Sequence, residues 1–332
     1  MSVSIKVKVV ILLVLPVLTF ARQIDNKVGT VGFQFLKLGV GAREVALGGA
    51  NTAIPEGPTA IYWNPAGICL DNQKSATFFN NSWIANINHN FIGFKTPVSG
   101  NDFIGASVNF ITMDDMEETT IIEPQGTGRK FTSSDLAFTA TYGRKITDRF
   151  GAAISVKYIN ETIWGLVSDG WAFDMGFVYN YNKFHVGMSF NNFGLDKQIS
   201  GDQLQLEYQI FPDYKTDEVL LEVVPDDIRL PTSFRFGAGF DILKMNYHKL
   251  TVMASLNYFN DIGQNGSAGL EYKFMENYIL RGGYQFNHEG FDWSVGAGVR
   301  FHIYNTSFEF GYATMNLRDF GLQSQTSLTI SF

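Results

Sequence analysis

The chain has 332 residues, of which 15% are aromatic, 17% charged and 33 glycine, with a formal net charge of −7; that suffices for one large β domain or two ordinary ones. An acidic chain without a basic patch argues against a nucleic-acid partner. Beyond residue 21 no apolar run approaches the ~18 residues of a spanning helix, so a membrane role has to use strands, whose alternating polar residues keep the mean hydropathy at −0.01.

In chain order, Lys6 and Lys8 precede the apolar stretch 9–18, and Thr19-Phe20-Ala21 places small residues at −3 and −1 of a cut after Ala21. This predicts a secretory signal over 1–21. Its loss takes the formal charge from −7 to −9 by removing two lysines. The sole cysteine, Cys69, forms no intramolecular disulfide and lies far from that cleavage site.

Residues 22–74 differ in kind from the rest of the mature chain. They carry Gly39, Gly41, Gly48 and Gly49, then Pro55, Pro58 and Pro65, and lack period-2 alternation. We read them as a plug or hatch with short helical turns near 35–47. Gly39 and Gly41 make no phosphate loop, since position 44 is Glu44 and no Gly-Lys-Ser/Thr comes after it; they allow tight turns and close backbone approach. Pro65 restricts Asn64 to extended geometry, Gly67 frees the next turn, and Tyr62 and Trp63 are large anchors. The element is either a turn that pins the plug to a wall or a cluster that gates it.

From 75 onward the chain alternates. In 291–301, Phe291, Trp293, Val295, Ala297, Val299 and Phe301 share one face; Asp292, Ser294, Gly296, Gly298 and Arg300 share the other. The same grammar gives fourteen strands at 75–83, 87–96, 102–113, 133–145, 150–163, 169–181, 183–192, 231–242, 249–259, 264–274, 277–286, 291–302, 304–313 and 322–332. Opposite the apolar rows fall Lys157, Asp174, Arg235, Asp241, Glu271, Lys273, Arg281, Arg300 and Glu309. A soluble sandwich alternates in the same way, but the second face here is mostly Gly, Ser, Asn and charges of both signs rather than solubilising Lys and Glu. The expectation is all-β: a 14-stranded antiparallel transmembrane barrel over 75–332, with its charges paired inside, for example Glu271 with Arg281 and Arg300 with Glu309. Short turns come after the even strands, and long loops, 114–132 and 193–230, after odd ones. An even count puts both termini on the periplasmic side.

Loop 193–230 holds nine acids against three bases, a balance of −6. Leu204, Leu206, Tyr208, Phe211 and Tyr214 run through it, and so much apolar content calls for a partner, a ligand or the barrel's own rim. The five histidines show no metal-ligand spacing, no Gly-x-Ser-x-Gly occurs, and no cofactor, metal or enzymatic chemistry is expected.

Leu38-Gly39 with Gly41-Ala42-Arg43, Leu47-Gly48-Gly49-Ala50, and Ala60-Ile61-Tyr62-Trp63-Asn64-Pro65-Ala66-Gly67 resemble the N-terminal signature of the PorV/PorQ family, within the FadL-like outer-membrane barrels. Ile146-Thr147-Asp148-Arg149-Phe150-Gly151 is similar to a later mark of that family. In Ile54-Pro55-Glu56-Gly57-Pro58 the chain departs from relatives, which carry an acidic pair there. Leu328, Ile330 and the final Phe332 resemble the C-terminal signal read by the outer-membrane assembly machinery. The resemblance implies an outer-membrane barrel with an N-terminal plug and one of two roles. One is the handling of secreted proteins in type IX secretion, with secretion components and cargo as partners. The other is FadL-like transport of hydrophobic small molecules.

Overall fold

The computed structural model describes residues 27, 29–208, 219–288 and 290–332; the predicted signal 1–21 lies outside them. Fourteen antiparallel strands form a closed barrel in which each pairs with its neighbours in sequence and the first pairs with the last. They are β1 Ser75–Ser82, β2 Asn88–Ser99, β3 Asp102–Thr112, β4 Ser133–Lys145, β5 Phe150–Ile163, β6 Leu166–Tyr181, β7 Phe184–Gly194, β8 Ser233–Met245, β9 His248–Phe259, β10 Gly263–Phe274, β11 Tyr278–Phe286, β12 Phe291–Ile303, β13 Thr306–Leu317 and β14 Gly321–Ser331. Closure leaves no unpaired edge, which is the condition for strands to cross hydrocarbon.

The wall is inside-out relative to a soluble protein. On β6, Trp171, Phe173 and Met175 are 56%, 52% and 46% exposed, while Asp174 between them is 1% exposed. Apolar rows face outward and charges inward, the reverse of a sandwich. Turn chemistry fixes the register. Asn182, Met275, Glu276 and Tyr304 take positive φ in the short turns, as tight hairpins of the right twist require.

The lumen is occupied. The chain runs through a 3-10 turn at Gln34–Lys37, helix α1 at Ala42–Ala46, helix α2 at Ala60–Trp63 and a 3-10 turn at Pro65–Cys69 before entering β1. Most of residues 40–69 are buried. The wall admits this plug because its inner face is rich in small residues. A Cβ on Gly187 would collide with the Thr52 carbonyl, and one on Gly283 with the backbone of Leu47 and Gly48. Apolar contacts fill the rest: Phe33, Phe35 and Leu36 with Ile111, Ala137 and Ile159, and Leu47 and Ala50 with Met253.

One expectation needs correction. The loop expected at 314–321 shrinks to 318–320, because β13 continues to Leu317 and pairs with β14 as far as Gly321. In that last turn of strand the apolar residues, Met315 and Leu317, point inward, so a search for outward apolar rows ends the strand too soon. The expected mature N-terminus at Arg22 lies outside the described residues. The barrel's own ends meet on the short-turn rim, with Ser75 opposite Ser331. The described chain before β1 starts at the other rim, where Val31 bridges Arg229 and the Phe33 N–H donates to Glu161 at 2.8 Å. It then threads the lumen to enter β1 at the short-turn rim.

Gly283→Leu is expected to destabilise the folded barrel by about 1–3 kcal/mol through overpacking against Gly48. Val299→Leu, on the lipid-facing row, is expected to stay within about 0.5 kcal/mol. Urea unfolding in lipid bilayers checks both.

Candidate functional site: a fastened plug beneath an acidic rim

The Tyr62–Gly67 element lies against β6, β7 and β8. Asn64 takes extended geometry ahead of Pro65, as its sequence dictates. Its Nδ2 donates to the Thr52 carbonyl at 2.9 Å and to the Phe177 carbonyl of β6 at 3.0 Å, and its Oδ1 accepts from the Ala66 N–H at 3.2 Å. Ser189 on β7 donates to the Trp63 carbonyl at 3.0 Å. Arg235 on β8 stacks its guanidinium over Trp63 and Tyr62, 4.9 and 5.3 Å from the ring centroids. Trp63 Nε1 donates to the Val40 carbonyl and the Tyr62 hydroxyl to the Leu36 carbonyl. Gly39 and Gly49 pass close to the Trp63 ring, where a Cβ would lie 3.0–3.2 Å from it. Gly41, Gly48 and Gly67 occupy bends where a Cβ would strike Glu44, Tyr284 and Pro55, and Ala66 packs on Ala153 and Val178. The motif thus ties three strands to the plug, with every polar atom of the Asn64 side chain used.

A second fastening is ionic, and its hub, Arg43, was legible only as a motif residue. The Arg43 guanidinium lies 3.0 Å from Glu271, 3.3 Å from Glu56 and 3.6 Å from Glu44. Lys273 lies 3.3 Å from both Glu56 and Glu271. The two predicted wall pairs are present and join it: Glu271–Arg281 at 2.8 Å and Arg300–Glu309 at 2.6 Å, bridged by Arg281–Glu309 at 2.8 Å. Arg43, Lys273, Arg281 and Arg300 balance Glu44, Glu56, Glu271 and Glu309. A buried cluster of this kind persists only if no charge is left alone. Burial alone would raise the Glu56 carboxyl, but Arg43 and Lys273 outweigh it and hold Glu56 down at about 2. Glu44, deeper and in a salt bridge with Arg43 alone, is pushed up by burial. Glu56 thus serves as a fastening between plug and wall.

The plug divides the lumen. Toward the short-turn rim lies a vestibule of about 560 Å³ lined by Arg43, Glu56, Lys273, Arg300, Glu309 and neighbouring hydroxyls. Toward the long-loop rim lies a cavity of about 60 Å³ bordered by Trp63, Trp83 and Phe291 but also by Asn81, Asn257 and Gln325.

The long loops gather above it. In the second of them Gln205–Tyr208 pairs with Val219–Glu222, so that Leu206 stands opposite Leu221 and Tyr208 opposite Val219. Leu204 is half-buried at the foot of this hairpin, while Phe211 and Tyr214 lie outside the described residues. Asn192 and Asn260 donate to the Pro231 and Leu230 carbonyls, pinning the loop's return to the wall. Leu195 and Val224 remain exposed. In the other long loop, Met116–Glu117 pairs with Lys130–Phe131, and Ile121 and Ile122 stand in solvent at its tip. At the other rim Leu328 and Ile330 face outward in β14, and the Phe332 N–H donates to the Lys74 carbonyl at 2.9 Å.

Arg43→Met is expected to cost about 3–5 kcal/mol, because it strands buried carboxylates; urea unfolding against the wild type measures it. For Glu56 the sign comes from a folded value below the ordinary 4.5. Its stabilisation is complete above that value and lost as pH falls toward about 2. The difference in melting temperature between wild type and Glu56→Gln should therefore be constant from pH 7 to 5 and shrink below pH 4.5.

With this geometry in hand, comparison with known proteins gives a consistent answer. Among solved structures the chain is similar to the toluene transporter TodX of Pseudomonas putida (13% identity, TM-score 0.54, 88% of this chain and 97% of that one). It is also similar to a FadL homologue of Pseudomonas aeruginosa (11%, 0.55, 89% and 98%) and to the toluene transporter TbuX of Ralstonia pickettii (13%, 0.53, 91% and 98%). At such identities the likeness shows the fold. No curated protein matches the chain. The family model described as type IX secretion system protein PorV matches residues 21–260. The chain is an outer-membrane β-barrel of FadL-like architecture that belongs to the PorV family.

Proposed function

We propose that this barrel is a non-enzymatic handling protein for secreted proteins at the outer membrane, working with its outer rim rather than through its lumen. The observation that carries the reading is the filled interior. A carrier of hydrophobic molecules needs an apolar pocket of some 300–1,000 Å³. Among the described residues the outer cavity is only about 60 Å³, with a mixed lining of aromatic rings and amides, and the larger vestibule is lined by charges. In the proposed orientation the short turns and Phe332 face the periplasm and the long loops face outward, with the outward apolar rows in contact with lipid. The rim then presents a loop of balance −6 with exposed Leu195 and Val224, and a hairpin tipped by Ile121 and Ile122. Acidic ground with apolar tips suits a protein partner that offers apolar pockets ringed by basic residues.

The test is recovery of the tagged chain from native membranes after cross-linking, with mass spectrometry of what accompanies it. Secreted proteins or secretion components should come down with the full chain and fall several-fold when 205–222 is replaced by a short Gly/Ser turn. A bound hydrophobic molecule with no accompanying protein would support the transport alternative instead.

A further inference from the structure

The plug's polar fastenings are spread unevenly round the barrel, and the sector that closes it has none among the described residues. Hydrogen bonds or ion pairs join the plug to β2 through Lys95, to β6–β8 through the Tyr62–Asn64 element, to β9 through Ser255, to β10 through Glu271 and Lys273, and to β12 through Ser294. Among the described residues no side-chain hydrogen bond or ion pair joins residues 31–71 to β13, β14 or β1. Contact there is apolar: Ala42 and Ala46 against Ala313, and Val40 against Phe79.

The wall of that same sector is polar. Along β1 the inward residues are Ser75, Thr77, Phe79 and Asn81, and opposite them on β14 stand Ser331, Thr329, Ser327 and Gln325. Asn81 and Gln325 are each 1% exposed, face one another across the seam, and leave Oδ1 and Oε1 without a partner; Ser75 Oγ, 2% exposed, is also unpartnered. Buried polar atoms of this kind are satisfied by water. Asn81 and Gln325 border the outer cavity, while Ser75, Thr77, Ser327 and Thr329 border the vestibule. Along β1 a single inward residue, Phe79, separates the two; it is 3% exposed and packed on Val40, Trp63 and Phe91.

We infer that the β13–β14–β1 seam is a route for water and small hydrophilic solutes past the plug, shut in this structure by the apolar contact of Phe79 with Val40. An apolar collar between two wetted chambers closes by dewetting and needs no steric seal. Opening requires only that the Phe79 and Val40 side chains part, while the bonds of Val40 to Trp63, Arg43 to Glu271 and Ala46 to Ser294 hold. The inference stands apart from the cargo reading, since a barrel that binds secreted proteins and one that does not would both contain this route.

The experiment measures potassium and glycerol flux in liposomes containing the full chain, with folding of each variant checked by heat-dependent gel mobility. Wild type should sit near the protein-free background. Phe79→Ala should raise flux on the order of tenfold by removing the dewetted collar. Adding Ser327→Trp to that variant should return flux to background. Phe103→Ala, the same truncation against Ile61 and Ile68 away from the seam, should leave flux unchanged. Should Phe79→Ala fail to fold, labelling by a small membrane-impermeant thiol reagent decides the matter in a Cys69→Ala background. Asn81→Cys should react from the long-loop side and Thr77→Cys only from the short-turn side. Equal flux in Phe79→Ala and Phe103→Ala, or an unreactive Asn81→Cys, overturns the inference.

Discussion

The rest of the structure depends on filling a closed lumen without leaving a charge or a backbone group alone. Fourteen strands enclose a space that side chains of one face cannot fill, and lipid cannot enter it. The chain meets this with a plug of small residues and with an eight-member charge cluster whose members come from plug and wall alike. Arg43 is the joint between the two: it alone reaches from the plug to Glu271 on the wall while also touching Glu44 and Glu56. Removing a wall residue from this set alters pairs on one face, whereas removing Arg43 leaves the plug joined to β10 by the Lys273–Glu56 pair.

Much of the wall was legible before any coordinates, for a physical reason. A strand between lipid and a packed lumen has two incompatible faces, so its period-2 pattern is imposed twice over. The wall pairs were legible for a related reason. Phe274 stands opposite Tyr278 across a short turn, and three residues back from the turn on each side Glu271 meets Arg281. Arg300 and Glu309 stand in the same relation to Ile303 and Thr306. Where the environment changes, the pattern fails. Above the lipid band the inner face of β13 becomes apolar and the outer face polar, which hid Thr314–Leu317 from a search tuned to outward apolar rows.

The site was legible in its parts and not in its connections. The Tyr62–Gly67 element announced itself as a turn with anchors, and of the two readings given for it, its bonds to three strands favour the pin. Nothing in the sequence linked Arg43 to Glu271, residues 228 apart with no periodicity between them. Plug and wall recognise each other by shape and charge across the lumen, and such contacts leave no local signal. One signal was available in retrospect: inward positions held by glycine, such as Gly187 and Gly283, mark where another backbone must pass.

The threading of the chain constrains how the molecule is made. The segment before β1 enters at the long-loop rim, crosses the lumen, and is covalently continuous with the strand that closes the barrel. Were the barrel to close first, residues 29–70 would have to be drawn in from the short-turn rim, past a lumen whose free space beside the plug is small. Closure around a plug already in place avoids this. The pairing that completes the barrel is β1 with β14, and its last backbone bond is from Phe332 to Lys74, the residue that precedes β1. The pairing that completes the barrel thus joins strands to which the plug, among the described residues, makes no side-chain polar bond. The placement of the fastenings suits that order: those to β2, β5–β10 and β12 can hold the plug on an open sheet, and the closing strands then need only enclose it.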